Sequence, residues 1–164
     1  MKQKIYLLIV ALILLIKFST VAQSDYTTYQ FLLEAGDKAL TVKNGLLSFE
    51  EKKAGIGQYN QLFILKRTEA GNVLIVSAAE EELYLKRNSG TVALSSGDFD
   101  PDAEWEVNYT GDPFVTIAIP AAPMQVLTMQ NSNLVVASFT KLSDNDDTSG
   151  NNSRLRIVEV TNTF

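Results

Sequence analysis

The 164-residue chain contains no histidine and no cysteine. Their absence excludes a Ser-His-Asp or Cys-His nucleophile system, a zinc site built from the usual ligands, a histidine pH switch, any disulfide, and lipid attachment through an N-terminal cysteine. Sustained helical periodicity is also missing. The acidic run Glu80-Glu81-Glu82 reads as a solvated turn rather than a helix face, so helix content is expected to be very low. Basic residues are few: 14 Lys and Arg stand against 19 Asp and Glu.

Lys2 and Lys4 precede an unbroken apolar run from Ile5 to Ile16, and Lys17-Phe18-Ser19-Thr20-Val21-Ala22 follows it. That order is the pattern of a secretory signal, with cleavage expected after Ala22. The run has 12 residues, whereas a membrane-spanning helix needs roughly 20. The expected product is a secreted chain, extracellular or, from a Gram-negative cell, periplasmic, with no membrane insertion after cleavage. Three of the 14 basic residues and none of the 19 acidic ones lie in residues 1–22, so residues 23–164 carry 11 bases, 19 acids and a formal charge of −8. This balance disfavours nucleic acid as a partner, because binding phosphates requires a basic footprint. The 142 residues that remain suit a single domain that buries a core without covalent staples.

From Tyr29 onward, short runs of Val, Ile, Leu, Thr and Phe alternate with Gly, Asn, Asp and Ser clusters every eight to twelve residues, as in all-β sandwiches and barrels. A pattern then recurs at Asn60-Gln61-Leu62-Phe63-Ile64-Leu65, Asp102-Ala103-Glu104-Trp105-Glu106-Val107 and Asn152-Ser153-Arg154-Leu155-Arg156-Ile157. In each copy an Asn or Asp stands three places before a large apolar residue. Recurrence at this period means three units that share one core, because none can bury its apolar face alone. The units span about 27–68, 69–111 and 112–161, with four strands in each and twelve in all. Strands are expected near Tyr29–Ala35, Ala39–Val42, Leu46–Phe49 and Leu62–Lys66; then Asn72–Ala78, Leu83–Lys86, Thr91–Leu94 and Trp105–Asn108; then Phe114–Ile119, Gln125–Met129, Leu134–Phe139 and Leu155–Val160. Asn44-Gly45 is the strongest turn signal, since both residues tolerate the positive φ of a two-residue hairpin. Asn88-Ser89-Gly90 and Asn131-Ser132-Asn133 stand in its place in the later units. Leu40, Leu83 and Leu127 align the second strands, and the polar stretch Ser143–Asn152 reads as an inserted surface loop.

These units, together with Asn60-Gln61-Leu62-Phe63, resemble the β-trefoil domain of the ricin B-chain lectin family and its Asn-Gln-x-Trp motif. The resemblance covers Tyr29–Val160 and implies an all-β trefoil. It implies that the residue two places before the large side chain is structural and that Phe63, Trp105 and Leu155 lie in the core. It also implies sugar contacts from an Asp in a second-strand Leu-Asp-Val, an aromatic in the third strand and the motif's opening Asn. At Leu40-Thr41-Val42, Leu83-Tyr84-Leu85 and Leu127-Thr128-Met129 that Asp is replaced. The expected function is a non-catalytic module binding a carbohydrate or glycoconjugate, as a monomer, with no cofactor and no metal. A protein-binding trefoil, as inhibitor or adhesion partner, is the alternative, and a hydrolase comes third.

The expected ligand residues are Asn44, Tyr59 and Asn60 in the first unit and Asp102 in the second. An Asn amide both donates to and accepts from sugar hydroxyls, and a tyrosine face stacks on a sugar ring. Tyr109 and Phe114 are the other aromatic candidates for a platform, against the plainer role of capping a barrel. Asp98-Phe99-Asp100-Pro101-Asp102-Ala103-Glu104 alternates carboxylates like a calcium loop but lacks the sixth-position Gly and distal Glu of an EF-hand, which favours a solvated turn.

Overall fold

The computed structural model describes residues 30–98, 100–111, 114–139 and 155–160. The expected signal at 1–22, the loop Ser143–Asn152 and the opening of the third motif lie outside the described residues. The described residues form twelve β-strands: β1 Gln30–Ala35, β2 Lys38–Lys43, β3 Leu46–Glu51, β4 Leu62–Arg67, β5 Val73–Ser77, β6 Tyr84–Asn88, β7 Thr91–Ser95, β8 Glu106–Gly111, β9 Phe114–Ile119, β10 Ala122–Gln130, β11 Asn133–Ser138 and β12 Leu155–Glu159. Helix among the described residues is confined to two 3-10 segments, Gly55–Gln61 and Pro101–Ala103.

Antiparallel pairing runs through β12-β9-β10-β11-β7-β6-β5-β4-β1 and returns to β12, closing a nine-stranded barrel. β2 and β3 extend from β1, and β8 pairs with β9. A bridge between Val73 and Trp105, with reciprocal backbone hydrogen bonds of 2.9 Å, also joins β5 to the start of β8. That bridge makes a second, shorter ring of β1, β4, β5, β8, β9 and β12. Closure removes the row of unpaired edge groups that an open sheet would expose. β3 has no second strand partner on the main path, yet its edge is not bare. The Phe49 amide donates to the Ser132 carbonyl at 2.7 Å, and the Glu51 carbonyl accepts from the Gln61 side chain at 2.9 Å.

Three hairpins, β2–β3, β6–β7 and β10–β11, turn on pairs of residues that all have positive φ: Asn44 and Gly45, Ser89 and Gly90, Asn131 and Ser132. Two positive-φ residues in succession give the turn whose twist matches the flanking strands. The second and third turns are therefore two residues long, narrower than Asn88-Ser89-Gly90 and Asn131-Ser132-Asn133, because Asn88 and Asn133 already pair within their strands. This corrects the alignment of the second strands. Counting back from each turn, the equivalent leucines are Leu40, Leu85 and Leu127, all fully buried, and not Leu83. A slip of two residues keeps every side chain on the same face, so alternation alone could not detect it. β10 also starts earlier than expected. Its register against β9 shifts between Ala122 and Val126, an irregularity that accommodates Pro123, which has no N–H to give to a ladder.

The main core gathers Phe31, Leu33, Leu40, Phe63, Ile75, Leu85, Trp105, Ile117, Leu127 and Leu155. Phe63, Trp105 and Leu155 are each 0% exposed, in agreement with the core role expected of them. A second cluster, including Leu32, Leu62, Ile64, Val76 and Tyr84, packs on the opposite face of β1, β4 and β5. At the seam between first and last strands, the buried Glu34 carboxylate sits 3.4 Å from the Lys52 ammonium and 3.7 Å from the Arg156 guanidinium.

Candidate functional site

Gly55, at φ 62, opens the 3-10 segment Gly55–Gln61 that carries the first motif. Gln61 turns inward and is fully buried. Its amide nitrogen donates to the Thr41 hydroxyl and the Glu51 carbonyl, each at 2.9 Å, and its oxygen accepts from the Lys53 backbone amide at 2.9 Å. Thr41 in turn donates to the Ala39 carbonyl at 3.1 Å. One glutamine thus pins the segment to the β2–β3 hairpin, as the resemblance implied for that position.

With Gln61 pointing in, residues before it in the segment point out. Tyr59 is 48% exposed and Ile56 99% exposed. They border a cleft of about 760 Å³ whose remaining lining is Gln30, Gly55, Gln58, Asn60 and Leu62. None of the described lining residues is charged. Tyr59 and Asn60, both expected as ligand residues, are brought together here. Asn44 is not part of this lining; it sits at the tip of the β2–β3 hairpin. Gln30, Ile56 and Gln58 were not anticipated, since strand and turn signals say nothing about which loop face meets the first residue of β1.

Asp102 lies elsewhere, in a groove of about 420 Å³ beside β6 and β7 that also takes in Lys86, Arg87, Asn88, Ser89 and Ser95. Arg87 reaches across to the 98–104 stretch. It donates to the Pro101 carbonyl at 3.0 Å, the Asp102 carboxylate at 2.8 Å and the Glu104 carbonyl at 3.4 Å, while its guanidinium lies 5.7 Å from the centre of the Trp105 ring. Lys86 pairs with Asp100, whose carboxylate also accepts from the Asp102 amide at 2.8 Å and so caps the Pro101–Ala103 turn. Glu104 accepts from Asn72 at 2.6 Å. Three of the alternating carboxylates, Asp100, Asp102 and Glu104, are therefore held by cations or an amide, and among the described residues no group of three or more acidic side chains is placed to hold a metal ion.

The hydrogen bond with Lys86 holds Asp100 below the usual carboxylate range, and the same bond raises Lys86. The contribution of Asp100 to stability is thus present above its unfolded pKa and lost as pH falls through the depressed folded value. That of Lys86 persists until pH rises through its raised value. Both groups are exposed to solvent, so the effect is weak.

The corrected register also reassigns the second-strand position at which the resemblance places a sugar-binding Asp. It is Thr41 in β2, Lys86 in β6 and Thr128 in β10. Thr41 is buried and committed to Gln61, and Lys86 is committed to Asp100. Tyr109, on β8, is 84% exposed and is not among the described lining residues of either depression, and Phe114 is half-buried.

No protein-family model and no curated protein matches the sequence. The fold has solved counterparts. The designed 3-fold symmetric protein ThreeFoil aligns with a TM-score of 0.62 at 19% identity, over 80% of this chain and 99% of that one. The C-half of the earthworm R-type lectin, solved in complex with GalNAc, aligns with a TM-score of 0.57 at 16% identity, over 80% and 99%. A GlcNAcα1-4Gal-releasing endo-β-galactosidase from Clostridium perfringens aligns with a TM-score of 0.65 at 12% identity, over 81% of this chain but 33% of the enzyme. The likeness to β-trefoil proteins, ricin B-like lectins among them, is one of fold.

Proposed function

We propose that this β-trefoil is a secreted, non-catalytic carbohydrate-binding module with one weak glycan site, in the first-unit cleft. The observation that carries the proposal is the setting of Tyr59: a half-exposed aromatic residue that shares a single depression with the amide-bearing residues Gln58 and Asn60. Aromatic faces stack on the apolar side of a sugar ring while amides exchange hydrogen bonds with its hydroxyls. The earthworm lectin offers a precedent for sugar binding on this fold. No carboxylate is among the described lining residues, so they do not offer the stronger, charge-assisted kind of hydrogen bond. Affinity for a single sugar is accordingly expected on the order of millimolar, about −4 kcal/mol.

A glycan array probed with a multimerised chain tests this reading, because multivalent display raises avidity without new contacts. Tyr59→Ala should weaken binding by about three- to ten-fold, the worth of an aromatic contact, and Asn60→Ala should weaken it as well. Asn44→Ala should do less, since the hairpin tip lies outside the cleft lining. Binding unchanged by Tyr59→Ala and Asn60→Ala would remove the site. A fully exposed Ile56 at the same place favours the second reading, a protein-binding trefoil, and that reading would stand if no glycan bound. Export is tested by intact mass: the mature protein should begin at Gln23 and leave the cytoplasm. A membrane-bound product that retains residues 1–22 would overturn the signal reading.

A further inference from the structure

We infer that the first-unit cleft selects a neutral sugar bearing a methyl-terminated substituent, an acetamido or 6-deoxy group, over its hydroxylated parent and over acidic sugars. The inference rests on the glycan reading above and names the ligand class of that same site. Two properties of the lining carry it. First, the described residues of the lining are all uncharged in a chain whose formal charge is −5. A sugar carboxylate or sulfate entering the cleft would lose water and find no cation among the described lining residues to replace it, and an uncompensated ion is costly to desolvate. The cations of the 420 Å³ groove give no help, because Arg87 and Lys86 are already tied to Asp102 and Asp100.

Second, the lining is more apolar than hydroxyl recognition requires. Ile56 projects into solvent with 99% of its surface accessible, beside Tyr59, while Leu62 is buried at the base. A ligand with hydroxyls alone would satisfy Gln58 and Asn60 and stack on Tyr59, yet leave the Ile56 side chain wet. A methyl group on the sugar covers that surface, and the acetamido carbonyl and N–H match an amide side chain that both donates and accepts. Burial of one methyl against Ile56 corresponds to roughly four-fold tighter binding.

NMR titration of the 15N-labelled mature chain with matched pairs tests the inference: N-acetylglucosamine against glucose, L-fucose against L-galactose, and glucuronate as the acidic probe. The methyl-bearing member of each pair should bind about four-fold tighter, with shifts centred on the 55–62 segment, and glucuronate should bind more weakly than glucose. Ile56→Ser should erase the preference, so that the two members of each pair bind alike. The exposure of Ile56 makes that substitution compatible with folding, and Ile56→Val should keep the preference. Equal affinity within each pair, a preference that survives Ile56→Ser, or glucuronate binding as well as glucose would overturn the selectivity and leave the glycan site in place. The absence of binding by every sugar would overturn the glycan reading itself.

Discussion

Replacing Trp105 by alanine is expected to cost about 3–5 kcal/mol of folding stability, the range for deleting a fully buried aromatic. Trp105 is 0% exposed, and its side chain makes three kinds of contact. It fills the main core with Phe63 and Leu155, its indole N–H donates to the Leu85 carbonyl at 3.1 Å, and Arg87 lies over its ring. The alanine variant therefore leaves a cavity, an orphaned carbonyl on β6 and a cation without its aromatic face. Trp105→Phe separates these effects. It restores most of the apolar area but not the donor, and should recover all but about 1–2 kcal/mol, the cost of one unsatisfied buried acceptor. Urea melts of the three proteins measure both steps. A loss within about 0.5 kcal/mol for the alanine variant, as at an ordinary surface position, would contradict the placement of Trp105 in the core.

Gln61→Leu is expected to be nearly as damaging, at about 2–4 kcal/mol, although leucine is apolar and close in size. Gln61 satisfies Thr41, the Glu51 carbonyl and the Lys53 amide at once, and each buried group left without a partner costs about 1–3 kcal/mol. The damage should be local as well as global. Released from Gln61, the Gly55–Gln61 segment loses its attachment to the β2–β3 hairpin, and the cleft that it borders loses one wall. Hydrogen exchange on the variant should show lost protection at the Lys53 amide. A variant as stable as the parent, with protection unchanged there, would mean that Gln61 does not hold the segment.

Much of this fold is legible in the residues because its determinants are local. Asn44-Gly45 announces a positive-φ turn by composition alone, and the structure gives both residues positive φ. The recurrence of Phe63, Trp105 and Leu155, 42 and 50 residues apart, points to a shared core, because a large apolar residue repeated in each unit must find others to pack against. The register of β6 was not legible, since a pattern of alternation counted from Leu83 looks the same as one counted from Leu85 and only the exact turn, Ser89-Gly90, decides between them. The partners of the acidic stretch were hidden for a different reason. Asp100 and Asp102 look like ligands for something outside the chain until the chain folds Lys86 and Arg87 against them. The first-unit cleft was half visible. Tyr59 and Asn60 stood out by chemistry, whereas Gln30 joins them only through the pairing of β1 with β4.

The pairing of β1 with β12, where Phe31 faces Glu159 and Glu34 faces Arg156, joins the first described strand to the last. A chain that emerges from the ribosome N-terminus first makes β1 long before its closing neighbour exists. Until β12 arrives, one flank of Phe31-Leu32-Leu33 has no strand beside it, and such an apolar edge is a template for pairing with other nascent chains. Contacts this distant along the chain also slow the final step of folding. The interval before closure, rather than the finished barrel, is thus when the Phe31-Leu32-Leu33 edge is open to pairing with another chain.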